Sequence, residues 1–244
     1  MHKTEPITVE TTRKQEAPQV KICGLTSVQE AVACAALGAD AIGFVFYAKS
    51  PRYVTIPKAR EIAMALPPCV CRVGVFVDET FDAIMKTARN IPLDTVQLHG
   101  AEPPALVEKL GGHGLKVVKA LFSDRHPRFT QAHQYAEAAF LVECGAGPLP
   151  GGNARSWNFS LLKDFAIKFP LVLAGGLTIH NVTTAIRQSR PDAVDISSGV
   201  ERRPGKKSLS KVKQFITITR NTRIAQPKRR IFYGTEGDFH LSKR

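Results

Sequence analysis

The feature that most constrains this chain is an alternation, repeated eight times, of a short apolar run and a stretch of helical character. Residues 20–23 open the series, and residues 27–37 follow, with Val28, Val32, Ala35 and Ala36 on one helical stripe. Ser27 stands where a helix N-cap is wanted. The later runs are residues 41–46, 71–77, 95–98, 116–121, 140–143, 171–174 and 193–196. Helical stretches begin between them near Pro57, Thr80, Pro103, Phe129, Phe159 and Thr178, and residues 208–219 close the series. The stretch after the fifth run has the poorest periodicity.

Strands that alternate with helices imply a parallel sheet, because each crossover needs a helix to return the chain. Eight such units bury every sheet edge if they close on themselves. The expected fold is therefore α/β: one (β/α)8 barrel, the TIM-barrel architecture, over residues 19–220, with an open doubly wound sheet as the alternative. The 244 residues match the roughly 250 typical of one such barrel. A polar N-terminal segment, residues 1–18, and a basic C-terminal segment, residues 221–244, fall outside the repeat and are expected to be loose tails.

The formal net charge of +13 suggests a polyanion partner until it is located. From Arg202 onward there are 13 Lys and Arg against Glu236 and Asp238, a surplus of +11, so the preceding residues are nearly neutral. A nucleic-acid surface spreads cations over a folded face among aromatics. A solvated basic tail fits this distribution better, which argues against nucleic acid as a partner. No apolar run reaches the roughly 18 residues that span a bilayer. The five cysteines are odd in number and follow a polar N-terminus, so reduced thiols in a cytoplasmic protein are expected. Cys69 and Cys71 lack a second ligand pair at zinc-like spacing, so no metal is expected.

In a (β/α)8 barrel the active site lies at the C-terminal ends of the strands. The polar and reactive residues there are Lys21 and Cys23 on run one, Ser50 and Arg52 after run two, and Asp78 after run three. His99 follows run four, and Glu143 ends run six. Gly175 and Gly176 follow run seven, and Asp195, Ser197, Ser198 and Gly199 close run eight. Glycine-rich turns after strands seven and eight are the usual phosphate cradle of this fold, since backbone N–H groups approach closely where no Cβ intervenes. Cys23 suits a general base if nearby positive charge favours its thiolate. Lys21, two residues earlier, shares its face of the strand. Glu143, ending an apolar strand, suits general acid work. Arg52 has the fork that matches a carboxylate. An acid and a base on different strands around one sugar phosphate fit an isomerisation by proton transfer.

Several motifs occur in order: Lys21-Ile22-Cys23-Gly24-Leu25-Thr26, Ser50-Pro51-Arg52-Tyr53-Val54, Val96-Gln97-Leu98-His99-Gly100, Leu173-Ala174-Gly175-Gly176-Leu177, Asp195-Ile196-Ser197-Ser198-Gly199-Val200-Glu201 and Pro204-Gly205-Lys206-Lys207. The set resembles the phosphoribosylanthranilate isomerases of tryptophan biosynthesis, over residues 20–215. The resemblance implies an Amadori rearrangement of a small phosphorylated substrate without metal or organic cofactor. It implies Cys23 as general base, Arg52 on the anthranilate carboxylate, Gly175, Gly176, Ser198 and Gly199 on the phosphate, and Asp195 beside the sugar; Lys21 and His99 are expected at the substrate from their strand-end positions alone. The family's acid is an aspartate at the end of strand six, where this chain has Glu143. The loop after it, residues 147–154, lacks the Gly-Thr-Gly-Lys run common in the family. Monomer and homodimer are both compatible with this reading. The rival readings are a related sugar-phosphate barrel isomerase and a catalytically idle barrel whose basic tail binds a polyanion.

Overall fold

The computed structural model describes residues 17–136, 138–145, 157–224 and 229–234. Eight parallel strands close into a barrel in chain order: β1 (Gln19–Cys23), β2 (Ala41–Val45), β3 (Cys71–Phe76), β4 (Thr95–Leu98), β5 (Lys116–Phe122), β6 (Ala139–Glu143), β7 (Leu171–Leu173) and β8 (Ala193–Ile196). Pairing of β1 with β8, Lys21 opposite Asp195, closes the ring and excludes the open sheet. Each expected run is a strand whose ends fall within one residue of the expectation.

Helices α1 (Val28–Ala36), α2 (Ile56–Ala65), α3 (Phe81–Asn90), α4 (Pro104–Gly111), α5 (Lys163–Lys168), α6 (Val182–Ser189) and α7 (Leu209–Asn221) surround the barrel. Ser27 caps α1 by accepting from the Glu30 N–H at 3.2 Å. After β5 the connection is a 3-10 helix, Phe129–Gln134, in place of an α-helix. Only Ala132 of that segment is buried, so no apolar stripe holds a longer helix against the sheet. An antiparallel ribbon, β9 (Glu201–Arg203) and β10 (Lys206–Lys207), follows β8 and was not expected from the repeat. It turns at Gly205, whose φ of +74° suits glycine.

Alternation along the strands separates two packing layers. Outward residues such as Ile22, Ile42, Leu98, Phe140 and Leu173 join the helices in one apolar cluster. Inward residues are smaller and form a second cluster that includes Ala41, Ala120, Val172, Ala174 and Ala193.

That inner cluster also contains Ile231 and Phe232. The expected loose C-terminal tail is thus docked where it is described, at residues 229–234. Phe232 is 1% exposed, and its N–H and that of Ile231 donate to Gln19 Oε1 at 2.9 and 2.7 Å. Arg229 donates to Asp192 and to the carbonyls of Ala166 and Ile167. The Lys116 ammonium lies 3.4 Å from the centre of the Tyr233 ring. Gln19, Asp192 and Lys116 all sit at the N-terminal ends of strands, so the segment closes the floor of the barrel, opposite the mouth.

Candidate active site

The mouth holds one pocket, and nearly all the expected site residues line it: Cys23, Arg52, His99, Glu143, Asp195 and both glycine-rich turns, with Ser50 and Ser197 at the same rim. They converge because inward-facing positions near the C-terminal ends of parallel strands share one opening. The free space, including the open mouth, is about 820 Å³.

Cys23 and Lys21 both point inward from β1, and glycine on the neighbouring strand leaves them room. A Cβ at Gly43 would lie 2.8 Å from Cys23 Sγ and 3.2 Å from Lys21 Cε. Lys21 does not reach the pocket. It is fully buried beneath Cys23, with its Nζ donating to Asp195 Oδ2 at 2.9 Å. Burial opposes the charge on Lys21, but Asp195 and Cys23 outweigh it and raise the ammonium pKa. Burial pushes the Cys23 thiol up, and Asp195 adds to that, while the Lys21 ammonium pulls it back down. The other resolved cysteine shifts belong to packed thiols: burial takes Cys34 and Cys71 up to about 12.

Across the mouth, Glu143 Oε1 lies 3.2 Å from His99 Nε2, and His99 Nδ1 lies 2.8 Å from Gln97 Nε2. The Phe122 ring meets the imidazole edge-on at 5.8 Å. Glu143 has its place because Gly175 follows β7: a Cβ there would fall 2.9 Å from Glu143 Cβ. Gly175 and Gly176 have φ of +82° and +66°, which a side chain would strain. Asn181 shapes this turn, accepting from the Thr178 N–H at 2.7 Å and donating to the Gly176 carbonyl at 2.8 Å. Gly199 on the facing turn packs against the Leu177 carbonyl, 2.1 Å from where a Cβ would stand. The two turns therefore abut, with backbone in place of side chains, as an anion cradle requires.

Arg52 lines the pocket, but its Nε and Nη2 already form a bidentate pair with Glu201 at 2.9 and 2.8 Å. Lys207 Nζ donates to the same carboxylate at 2.8 Å and to Ser197 O at 3.2 Å. Burial works against the Glu201 charge, yet Arg52 and Lys207 prevail and hold its carboxyl below the usual glutamate value. Part of the guanidinium is thus fixed by the protein, while the residue still lines the pocket. Ser197 Oγ in turn donates to the Cys23 carbonyl at 3.0 Å, tying this network to the end of β1.

Asp78 stands apart from the pocket. It has a φ of +53° and accepts from the Ala101 N–H at 2.7 Å, bracing the turn after β4. Sequence reasoning gave no part to Gln97, Asn181, Glu201 or Lys207. For Gln97 the signal was available, since it lies two residues before His99 on the same strand face. Glu201 and Lys207 stood in the ordered motifs but without a role, because only the ribbon brings them to Arg52. The loop at residues 147–154 lies outside the described residues.

A model of the N-(5'-phosphoribosyl)anthranilate isomerase family matches residues 20–218. The chain is 45% identical to the N-(5'-phosphoribosyl)anthranilate isomerase of Desulfatibacillum aliphaticivorans over 214 residues, 88% of this chain and 98% of that protein. It is 44% identical to that of Thermotoga maritima, over 81% of this chain and 96% of that one. The crystal structure of the Thermotoga maritima enzyme superposes with a TM-score of 0.78, covering 84% of this chain and 99% of the other. A phosphoribosyl anthranilate isomerase in complex with reduced 1-(o-carboxyphenylamino)-1-deoxyribulose 5-phosphate superposes with a TM-score of 0.75 at 40% identity, over 84% of this chain and 99% of that one. With the fold, the mouth geometry and these likenesses in agreement, the chain belongs to the N-(5'-phosphoribosyl)anthranilate isomerase family.

Proposed function

We propose that this enzyme converts N-(5-phosphoribosyl)anthranilate to 1-(o-carboxyphenylamino)-1-deoxyribulose 5-phosphate, with Cys23 as general base and Glu143 as general acid. The observation that carries this reading is that Cys23 on β1 and Glu143 on β6 line one pocket, between an arginine and paired glycine turns. Glu143 protonates the ring oxygen, the C1–O bond breaks, and the anthranilate nitrogen lone pair forms the C1=N bond of an iminium. The Cys23 thiolate takes the C2 proton, and that electron pair neutralises the iminium to an enolamine. Proton return to C1 and loss of the C2 hydroxyl proton give the aminoketose. A positioned acid and base each contribute about 10²–10⁴-fold to such steps.

The turns at Gly175–Gly176 and Ser198–Gly199 hold the phosphate, and the uncommitted face of Arg52 holds the anthranilate carboxylate. His99 and Asp195 contact the reacting sugar. Lys21 acts from below, where its charge favours the thiolate form of Cys23. The reaction draws its charge stabilisation from these side chains and needs no metal or organic cofactor. Among the described residues no helix is long and apolar enough to cross a membrane, which accords with a place in the cytoplasm.

The test is rescue of a tryptophan auxotroph that lacks this isomerase, paired with turnover of the purified protein. Wild-type rescue is expected. Cys23→Ser is expected to lose at least about 100-fold in kcat, and Arg52→Ala mainly to raise KM. No rescue and no turnover by the wild type would overturn the assignment, and full activity of Cys23→Ala would overturn the mechanism.

A further inference from the structure

Gln97, His99 and Glu143 form a chain of three buried groups, 1, 8 and 5% exposed. Gln97 Nε2 meets His99 Nδ1 at 2.8 Å, and His99 Nε2 meets Glu143 Oε1 at 3.2 Å. The remaining amide atom, Gln97 Oε1, is buried without a hydrogen-bond partner among the described residues. A neutral imidazole has one donor and one acceptor nitrogen. With the amide NH2 toward Nδ1, the ring proton sits on Nε2 and donates to a Glu143 carboxylate. A half-turn of the amide sets its carbonyl toward Nδ1 instead. Nδ1 then carries the proton, and Nε2 accepts from a Glu143 carboxylic acid. Nitrogen and oxygen of an amide occupy the same outline, so both arrangements fit one cavity.

We propose that Gln97 is a positioning residue for the acid, matching the tautomer of His99 to the protonation state of Glu143 by turning its amide. The proposal rests on Glu143 being the acid. A general acid must be held both loaded and spent, and only a side chain that can either donate or accept serves both. Delivery of the Glu143 proton to the ring oxygen leaves a carboxylate facing an unprotonated Nε2; between turnovers the ring gives its Nδ1 proton to water and takes one from water onto Nε2 at the pocket it lines, and the amide turn follows that exchange. The other charged groups around the chain are committed elsewhere. Lys119 on β5 donates to Glu102 at 2.9 Å and to the Gly100 carbonyl at 2.8 Å. Asp78 after β3 holds the Ala101 N–H. Across the mouth, Lys21 pairs with Asp195 and Arg52 with Glu201, and Cys23 belongs to β1.

Nitrogen-15 NMR of histidine-labelled protein reads both ring nitrogens directly, and the pH profile of kcat reads the acid. In the wild type the His99 proton is expected on Nδ1 below the pH at which the alkaline limb of kcat falls, and on Nε2 above it. Gln97→Glu replaces the amide with a group that only accepts. The imidazole then lies between two carboxylates, both nitrogens should be protonated, and Glu143 should be held spent. Its kcat at neutral pH should fall about tenfold or more, with the alkaline limb moved to lower pH. Gln97→Leu offers Nδ1 no partner, so the switch between ring tautomers, now set by Glu143 alone, should become less complete across the limb than in the wild type while the limb stays in place. A merely structural role would lower activity at every pH without moving the limb or the nitrogen signals. Wild-type nitrogen signals in Gln97→Leu, or an unmoved limb in a folded Gln97→Glu, would overturn the proposal. Should Glu143→Gln keep wild-type kcat while His99 behaves as described, the acid assignment fails and the Gln97–His99 coupling stands.

Discussion

At Glu143 one methylene decides where the carboxylate stands. Its carboxylate meets His99 at 3.2 Å only because Gly175 leaves its Cβ free space. Glu143→Asp would restore the family residue but draw the carboxylate back by about 1.5 Å, one C–C bond. A displacement near 1 Å can cost on the order of 100-fold, so steady-state kinetics should show kcat reduced about 10- to 100-fold with KM little changed. The pair beneath Cys23 invites a pH test. Lys21 pulls the thiol pKa down against burial. A Lys21→Met/Asp195→Asn double variant removes that pull, and with it the smaller opposing push of Asp195, without stranding a buried charge. Its acidic limb of kcat should move to higher pH, because the thiolate then forms only under more alkaline conditions. A limb at its wild-type position would separate Lys21 from the base.

Among the elements, the C-terminal segment has the clearest energetic role. Ile231 and Phe232 fill the floor of the barrel with small side chains above them, and burying such a residue is worth about 1.5–3 kcal/mol. Deleting residues 225–244 should therefore cost about 3–6 kcal/mol for the two side chains and lower Tm by about 6–24 °C, at about 2–4 °C per kcal/mol for a chain of this size. The mouth lies at the opposite end of the strands, so kcat and KM measured well below Tm should remain. A truncated chain with unchanged Tm in a thermal melt would show that the docked segment adds no stability. The β9–β10 ribbon has the complementary task of carrying Glu201 and Lys207 to Arg52, as the bidentate contact shows.

For the whole molecule, the Arg52–Glu201–Lys207 cluster links stability to pH. The folded-state pKa of Glu201 is depressed, so its contribution is present above the unfolded value, about 4.3. It is lost as pH falls through the folded value. Tm measured from pH 7 downward should show Glu201→Gln less stable than wild type at neutrality, with the gap narrowing below about pH 4. A gap independent of pH would mean that the loss is one of packing alone.

The chain's alternation of apolar runs and helical stretches determined by itself a parallel sheet with helical crossovers, because period and strand–helix order leave few other ways to bury its edges, and the β1–β8 pairing decided that it closes into a barrel. It also pointed to most of the residues that reach the mouth, though not to the exclusion of Lys21 and Asp78, since strand-end positions in a closed parallel barrel share one opening. Tertiary structure alone decided the rest. Lys21 lies under the site because β8 returns Asp195 to its side. Arg52 is half committed because a ribbon 149 residues away folds a carboxylate onto it. Residues 229–234, read from their charge as a solvated tail, are held by Gln19 and by an apolar floor contributed by several strands. A short polar stretch with two apolar residues carries no periodicity of its own. What it packs against exists only once the barrel has closed.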